Sequence, residues 1–248
     1  MYNPLEQFTI TPLIRIYNDW IDLTITNSTI MLLISVLTIL LITSSNAFGN
    51  NNIIVNKWQR FIELTYKAVQ DIVVSMLPGK SNEKYIPLII NIFMFILLNN
   101  LIGLIPYSFT TTSHIAITLT LSLAIIIGVT FIGFKKHSIG FFKLFIPSGL
   151  NKGFIKLLIP LIFVIELISY LTRIISLSVR LTANMMSGHT LLKIIANFGL
   201  LYSSGIFVLI PLLILIPVVI LELGVAIIQA YVFTMLTASY IKDAELLH

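Results

Sequence analysis

Charge is what this sequence has least of. Of its 248 residues only 10% are Asp, Glu, Lys or Arg, against 57% hydrophobic ones. An ordinary soluble domain carries roughly 25% charged residues. With a mean hydropathy of +1.01, the chain has too little polar surface to coat a globule in water. Cysteine is missing altogether, which excludes disulfides, thiolate metal sites and iron–sulfur ligation. A signal-peptide layout is missing too: the first twenty residues set Arg15 against Glu6 and Asp19, without a compact charged-then-apolar order. That start is compatible with insertion from the membrane's own side or with a presequence already removed. "PGKS" at Pro78 to Ser81 ends like a phosphate-binding loop, but Val74 stands where that motif needs glycine. The chain shows no nucleotide site, metal-ligand cluster or cofactor motif. "NST" at Asn27 to Thr29 fits a glycosylation acceptor, yet it adjoins a membrane span.

What is abundant is apolar sequence, in runs near the ~20 residues that cross a bilayer core about 30 Å thick. The pattern predicts an all-α integral membrane protein forming a single membrane domain. It should have three upright spans, one interfacial amphipathic helix and a pair of long, strongly tilted membrane helices. An N-terminal segment, 1–24, leads to a first span at 25–43. In 52–77, Ile54, Trp58, Phe61, Ile62, Thr65, Val69, Ile72, Val73 and Met76 recur at steps of three and four. Lys57, Arg60, Glu63, Lys67, Gln70 and Asp71 fill much of the other face, the pattern of an amphipathic helix in the interface plane. Next come spans at 85–105 (with Asn91, Asn99 and Asn100) and 115–134, then a basic loop at 135–156. The last two segments, 157–196 and 204–242, would each reach roughly 55–60 Å as continuous helices. They must tilt or bend, with Pro160, Pro211 and Pro217 as candidate kinks.

Basic residues set the topology. Ten of the fifteen lie in two connections: Lys57, Arg60, Lys67, Lys80 and Lys84, then Lys135, Lys136, Lys143, Lys152 and Lys156. The connections at 106–114 and 197–203 have none. By the positive-inside rule the N-terminus lies outside and the C-terminus inside. In an organelle of bacterial origin, inside is the matrix. This explains the net charge of +5 better than nucleic-acid binding does.

Within the apolar segments a few ionisable groups remain: Glu166, Arg173, Arg180, Lys193 and Glu222, with neutral His189. Such groups cost at least about 2.5–3.5 kcal/mol each at the membrane centre and are functional suspects by default. Lys193, near a helix end, can snorkel to the surface. Arg180, mid-segment, has no such escape; it either glues helices through an internal ion pair or meets an outside partner. Seven residues are almost two helical turns, so Glu166, Arg173, Arg180 and Ser187 form one stripe, with Asn184 a turn beyond Arg180. The residues three and four from Arg180 are Ser176, Leu177, Ala183 and Asn184, none acidic. Glu166 is about 21 Å away along the axis, too far to pair. The count predicts an anion from another chain. His189 lies roughly 13 Å on and about 180° around, facing a last helix where Glu222 and Gln229 share a side. A histidine beside a carboxylate is either a proton relay or merely hydrogen-bonded.

"ELISYLTRIISLSVRLTANMMSGHTLL" resembles the fifth helix of subunit a of rotary ATP synthases, and "LELGVAIIQAYVFTMLTASYIKDA" resembles its sixth. "NNLIGLIPYSFTTTSH" is similar to the preceding loop region, while "NPLEQFTI" and "KDAELLH" resemble fungal mitochondrial versions. The resemblance implies that Arg180 is the essential arginine facing the carboxylates of the rotor c-ring, with Asn184 and Gln229 flanking it. It implies an intermembrane half-channel at His189 and Glu222 and a matrix half-channel at Glu166, helped by Tyr170, Asp243 and His248. Arg173 has a family counterpart without a secure role. The implied setting is the mitochondrial inner membrane, beside subunit b, subunit 8 and small accessory subunits, with no cofactor and no direct nucleotide. A proton-coupled secondary transporter and a non-catalytic membrane anchor are the rival readings; the first would usually contain internal repeats with discontinuous helices, and no convincing repeat is present.

Overall fold

The computed structural model describes residues 4–15, 17–18, 21–22, 24–47, 57–77, 82–105, 108–138, 140–141, 159–201 and 209–246. After a 3-10 turn at Pro4–Phe8, β1 (Pro12–Ile14) pairs antiparallel with β4 (Ile25–Thr26). Between them β2 (Tyr17–Asn18) pairs with β3 (Ile21–Asp22). These short ladders are the departure from a helical chain. Asn27 ties them to the start of the first helix: its amide donates to the Thr9 carbonyl at 3.2 Å, and its oxygen accepts from the backbone N–H of Thr11 at 3.3 Å and of Ser28 at 2.9 Å. The Asn27 amide thus has a structural use that a glycan would disrupt.

The helices are α1 (Asn27–Ala47), α2 (Lys57–Met76), α3 (Asn82–Gly103), α4 (Ile115–His137), α5 (Ile159–Leu201) and α6 (Leu209–Leu246). Five of them, all but α2, are long and apolar enough to cross a membrane. The first span predicted at 25–43 is a helix shifted later, to Asn27–Ala47. Residues 52–56 of the amphipathic segment, and most of the basic loop 135–156, lie outside the described residues. Two expected kinks need correcting. Pro160 and Pro211 sit in the first turns of α5 and α6, where the N–H that proline lacks has no intrahelical partner to lose. They start helices rather than bend them. Pro217 lies inside α6, and Pro87 inside α3.

Burial runs opposite to that of a soluble bundle. Leu33, Phe131, Ile220 and Leu221 are 65–69% exposed, while Ser35, Asn100, Ser122, Ser178, Thr234 and Thr237 are fully buried. In lipid, apolar side chains gain nothing by hiding, whereas polar groups must find internal partners. Thr118 of α4 does so across the helix interface, its hydroxyl lying 3.0 Å from that of Ser178 and 2.6 Å from that of Thr182 on α5. α2 packs on α3 through Val69, Val73 and Leu77, whereas Phe61, earlier on its apolar stripe, stays exposed.

α6 is the central element, in contact with α2, α3, α4 and α5. Its inward side is small: Ala226, Ala230, Thr234, Thr237 and Ala238 are all inaccessible, interrupted by Phe233. Small side chains let backbones approach closely, which drives helix association in a membrane. Ala230→Leu should overpack this seam and destabilise the detergent-purified protein by about 1–3 kcal/mol. The outward-facing Ile220→Leu should leave the melting temperature unchanged. Equal melting of both variants would contradict the assignment of α6 as the packing centre.

Candidate functional site

The site is built on the facing sides of α5 and α6. Leu177, Ser178, Leu181, Thr182 and Met185 turn inward from α5, so the 3.6-residue period turns Val179, Arg180, Ala183 and Ser187 outward. Arg180 is exposed at mid-helix and makes no hydrogen bond or ion pair with any described residue. Its charge lies within electrostatic reach of Tyr240 on α6. Among the described residues, no acid of the chain neutralises it.

Above Arg180, toward the end of α5, lies a first polar station. The Asn184 amide donates to the Gln229 oxygen at 3.0 Å, joining α5 to α6 one turn beyond the arginine. Further on, His189 Nε2 stands 3.6 Å from Glu222 Oε1, an ion-pair distance but longer than a hydrogen bond. Glu222 is only 3% exposed, and neither of its oxygens has a hydrogen-bond partner in the described protein; Gln229 Nε2 also lacks one. Buried polar atoms of this kind call for water.

A second station lies on the other side of Arg180. The Arg173 guanidinium reaches Glu166 Oε1 at 3.9 Å and Asp243 Oδ2 at 3.4 Å, and its Cζ lies 5.4 Å from the Tyr240 ring centroid. Tyr170 is half-buried one turn from both Glu166 and Arg173. The end of α6 is fastened here: Glu245 takes Lys136 Nζ at 3.0 Å, and its backbone carbonyl meets His137 Nε2 at 3.0 Å. Between the stations the interface is packed shut by Leu177, Leu181, Ala230 and Phe233, each no more than 1% exposed.

The geometry therefore brings His189 to Glu222, Asn184 to Gln229, and both Glu166 and Asp243 to Arg173, and it leaves Arg180 facing outward. His248 lies outside the described residues. Three features escaped sequence reasoning. Gly188 is one: a Cβ there would lie 2.7 Å from Glu222 Oε1 and 3.0 Å from its Cδ. The bare glycine lets the carboxylate rest against the α5 backbone, and a glycine in a helix gives no sign of that on its own. The second is a group of unpartnered polar atoms on α3 and in the turn that follows it. Asn100 of α3 donates to the Ala226 carbonyl at 3.3 Å, but its Oδ1 has no partner, nor do Thr112 Oγ1 and His114 Nε2 in the adjoining turn. The His114 ring stacks on Phe109 at 5.1 Å, and burial holds its pKa below the ordinary imidazole value. Without charge, "TTTSH" reads as an ordinary loop. The third is the Glu245 clasp, whose partners are more than a hundred residues away.

Apolar helices enclosing two ionisable stations, with an unneutralised arginine between them, define a multi-pass membrane protein built to handle charge inside the bilayer. The chain belongs to the ATP synthase A chain family, whose sequence profile matches residues 28–242. It is similar to ATP synthase subunit a of Trichophyton rubrum, 44% identical over 253 residues that cover 99% of this chain and 97% of the relative. The Marchantia polymorpha protein of the same name is 42% identical, covering 99% of each chain. That of Mycosarcoma maydis is 41% identical over 100% of this chain and 98% of its own length. Membership makes the chain a proton-translocating subunit of the ATP synthase membrane sector.

Gly188→Ala should push the Glu222 carboxylate off α5 and lower ATP-driven proton pumping by the assembled complex at least about tenfold, since displacements near 1 Å can cost ~100-fold. Gly224→Ala, where a Cβ meets nothing within 4 Å, is the control and should pump normally. Quenching of a pH-sensitive dye in inverted membranes measures both.

Proposed function

We propose that the chain is the stator of a proton-driven rotary motor in the mitochondrial inner membrane, with its N-terminus toward the intermembrane space and its C-terminus toward the matrix. The observation that carries this reading is Arg180: exposed, without an anion of its own among the described residues, and set between two polar stations that packed side chains keep apart. A guanidinium in that position needs a counter-ion, and a carboxylate on a passing c-ring supplies one.

A proton enters from the intermembrane side along the Asn100, Thr112 and His114 seam to His189 and Glu222, and neutralises a ring carboxylate. The neutral carboxyl crosses lipid far more cheaply than the anion. After nearly a full turn it meets the station at Glu166, Tyr170 and Asp243 and gives the proton to the matrix, with the terminal His248 helping. Arg180, flanked by Asn184 and Gln229, stabilises the anion as it passes between the stations and blocks a direct route. Each charge crossing 100 mV supplies about 2.3 kcal/mol, so several protons drive each ATP. Nucleotide chemistry belongs to other subunits, and subunit b, subunit 8 and small accessory subunits hold this chain against rotation.

Arg180→Ala should abolish ATP-coupled proton pumping while leaving the complex assembled and its soluble part hydrolysing ATP. Pumping at the normal rate in that variant would remove the stator reading and favour a passive anchor. Proton-coupled transport by the isolated chain would favour a carrier.

A further inference from the structure

Arg173 is a single cation between two carboxylates from different helices, Glu166 of α5 at 3.9 Å and Asp243 of α6 at 3.4 Å. The three side chains are 29%, 41% and 29% exposed on the surface of the chain, unlike the buried Glu222. Other titratable or charged groups at this end include Tyr170 on α5, Tyr240 and Lys242 on α6, Tyr85 on α3, and His137 beside the Lys136–Glu245 pair at the end of α4, with Arg180 within electrostatic reach of Tyr240. Lys136 is engaged by Glu245, so Arg173 alone forms an ion pair with Glu166 or Asp243 among the described residues. One guanidinium between two carboxylates leaves one negative charge over.

We infer that Arg173 is a positioning residue: it binds Glu166 and Asp243 into one proton-accepting unit that spans α5 and α6. The inference rests on the proposed stator reading. The unit's surplus charge is what accepts a proton. An O–H bond on the incoming carboxyl breaks, one forms on a carboxylate oxygen of the unit, and the proton then passes to water, leaving the unit with its original charge. The guanidinium has a second effect. Its positive charge stands between the two acids and offsets their negative charges. Arg173 Cζ also lies 5.4 Å from the Tyr240 ring centroid, within cation–π range, and the Glu245 clasp fastens the end of α6 that carries Asp243.

The test uses the intact complex in proteoliposomes, making ATP under an imposed gradient, with the pH varied on the side where ATP is made. Arg173→Gln should lower synthesis about tenfold at neutral pH and move the pH profile about one unit alkaline, because the cation that offsets the two acids is gone. Arg173→Lys should restore most of the rate and the position of the profile. Asp243→Asn, which leaves Arg173 to a single acid, should move the profile the other way. A uniform fall in rate with no movement of the profile in Arg173→Gln or Asp243→Asn would mean that Arg173 only braces the helices, and would overturn the inference. Where Arg173→Gln does not assemble, Asp243→Asn decides alone: an unmoved profile overturns it. Arg180→Ala in the same vesicles separates the two claims. If that variant still couples, the stator reading fails; if it does not couple and the Arg173 series leaves the profile in place, only the Arg173 inference fails.

Discussion

An uncompensated guanidinium in apolar surroundings is the constraint on which the rest of this structure depends. A guanidinium is a permanent positive charge. Arg180 is too far along α5 to reach water by snorkelling, and no acid of its own described chain lies within ion-pair distance. Every neighbouring feature is consistent with that charge being left open. The residues around it on the outward face are Val179, Ala183 and Ser187, which neither neutralise it nor crowd it. The nearest polar pair joins α5 to α6 instead of reaching the arginine: Asn184 donates to Gln229. An arginine serving only as helix glue would be turned inward toward an acid, and this one is not.

Close packing of α6 is what makes two separate stations possible. Its run of alanines and threonines lets α3, α4 and α5 approach its backbone, so Glu222 near one end and Asp243 near the other both face α5. The two stations differ in kind. One is buried, with a carboxylate pressed on a glycine and polar atoms that call for water. The other is partly exposed on the surface of the chain and clamped by salt bridges to α5 and α4. The helices had to be long to carry both. At 1.5 Å per residue, Glu222 and Asp243 lie about 31 Å apart along α6, about the thickness of the bilayer core, so each can serve a different side.

Most of the architecture was legible in sequence because membrane segments announce themselves by length and hydropathy. The stripe of Glu166, Arg173, Arg180 and Ser187 came from helical geometry alone, and so did the prediction that His189 turns away from Arg180 toward α6. Residues on different helices were harder. Nothing in the spacing says that Arg173 meets Asp243, seventy residues later, or that Glu245 closes on Lys136. The role of Gly188 was hidden because a missing Cβ matters only when another helix supplies something to fill the space. Prolines misled for a local reason: a candidate kink and a helix start have the same composition, and only the position of the first turn tells Pro160 and Pro211 apart from Pro217. The short strands before α1 were missed because two-residue ladders carry too few residues for an alternating pattern.

Stability and coupling converge on the packed stretch between the stations. Leu177, Leu181, Ala230 and Phe233 fill the space where a chain of water molecules would otherwise join Gln229 to Tyr240. In the proposed motor such a chain would let protons pass without turning the ring, and each would dissipate about 2.3 kcal/mol per 100 mV. In that proposal, dispersion contacts that look like ordinary core packing also serve as the insulator. A cavity opened there would cost twice, in lost contacts and in leaked current. In the same proposal the arginine repels a proton that tries to cross, but a fixed charge alone would not stop a wet gap from conducting around it. The two barriers work together because they occupy the same depth: the positive charge on the outward face of α5, and the dry seam on its inward face.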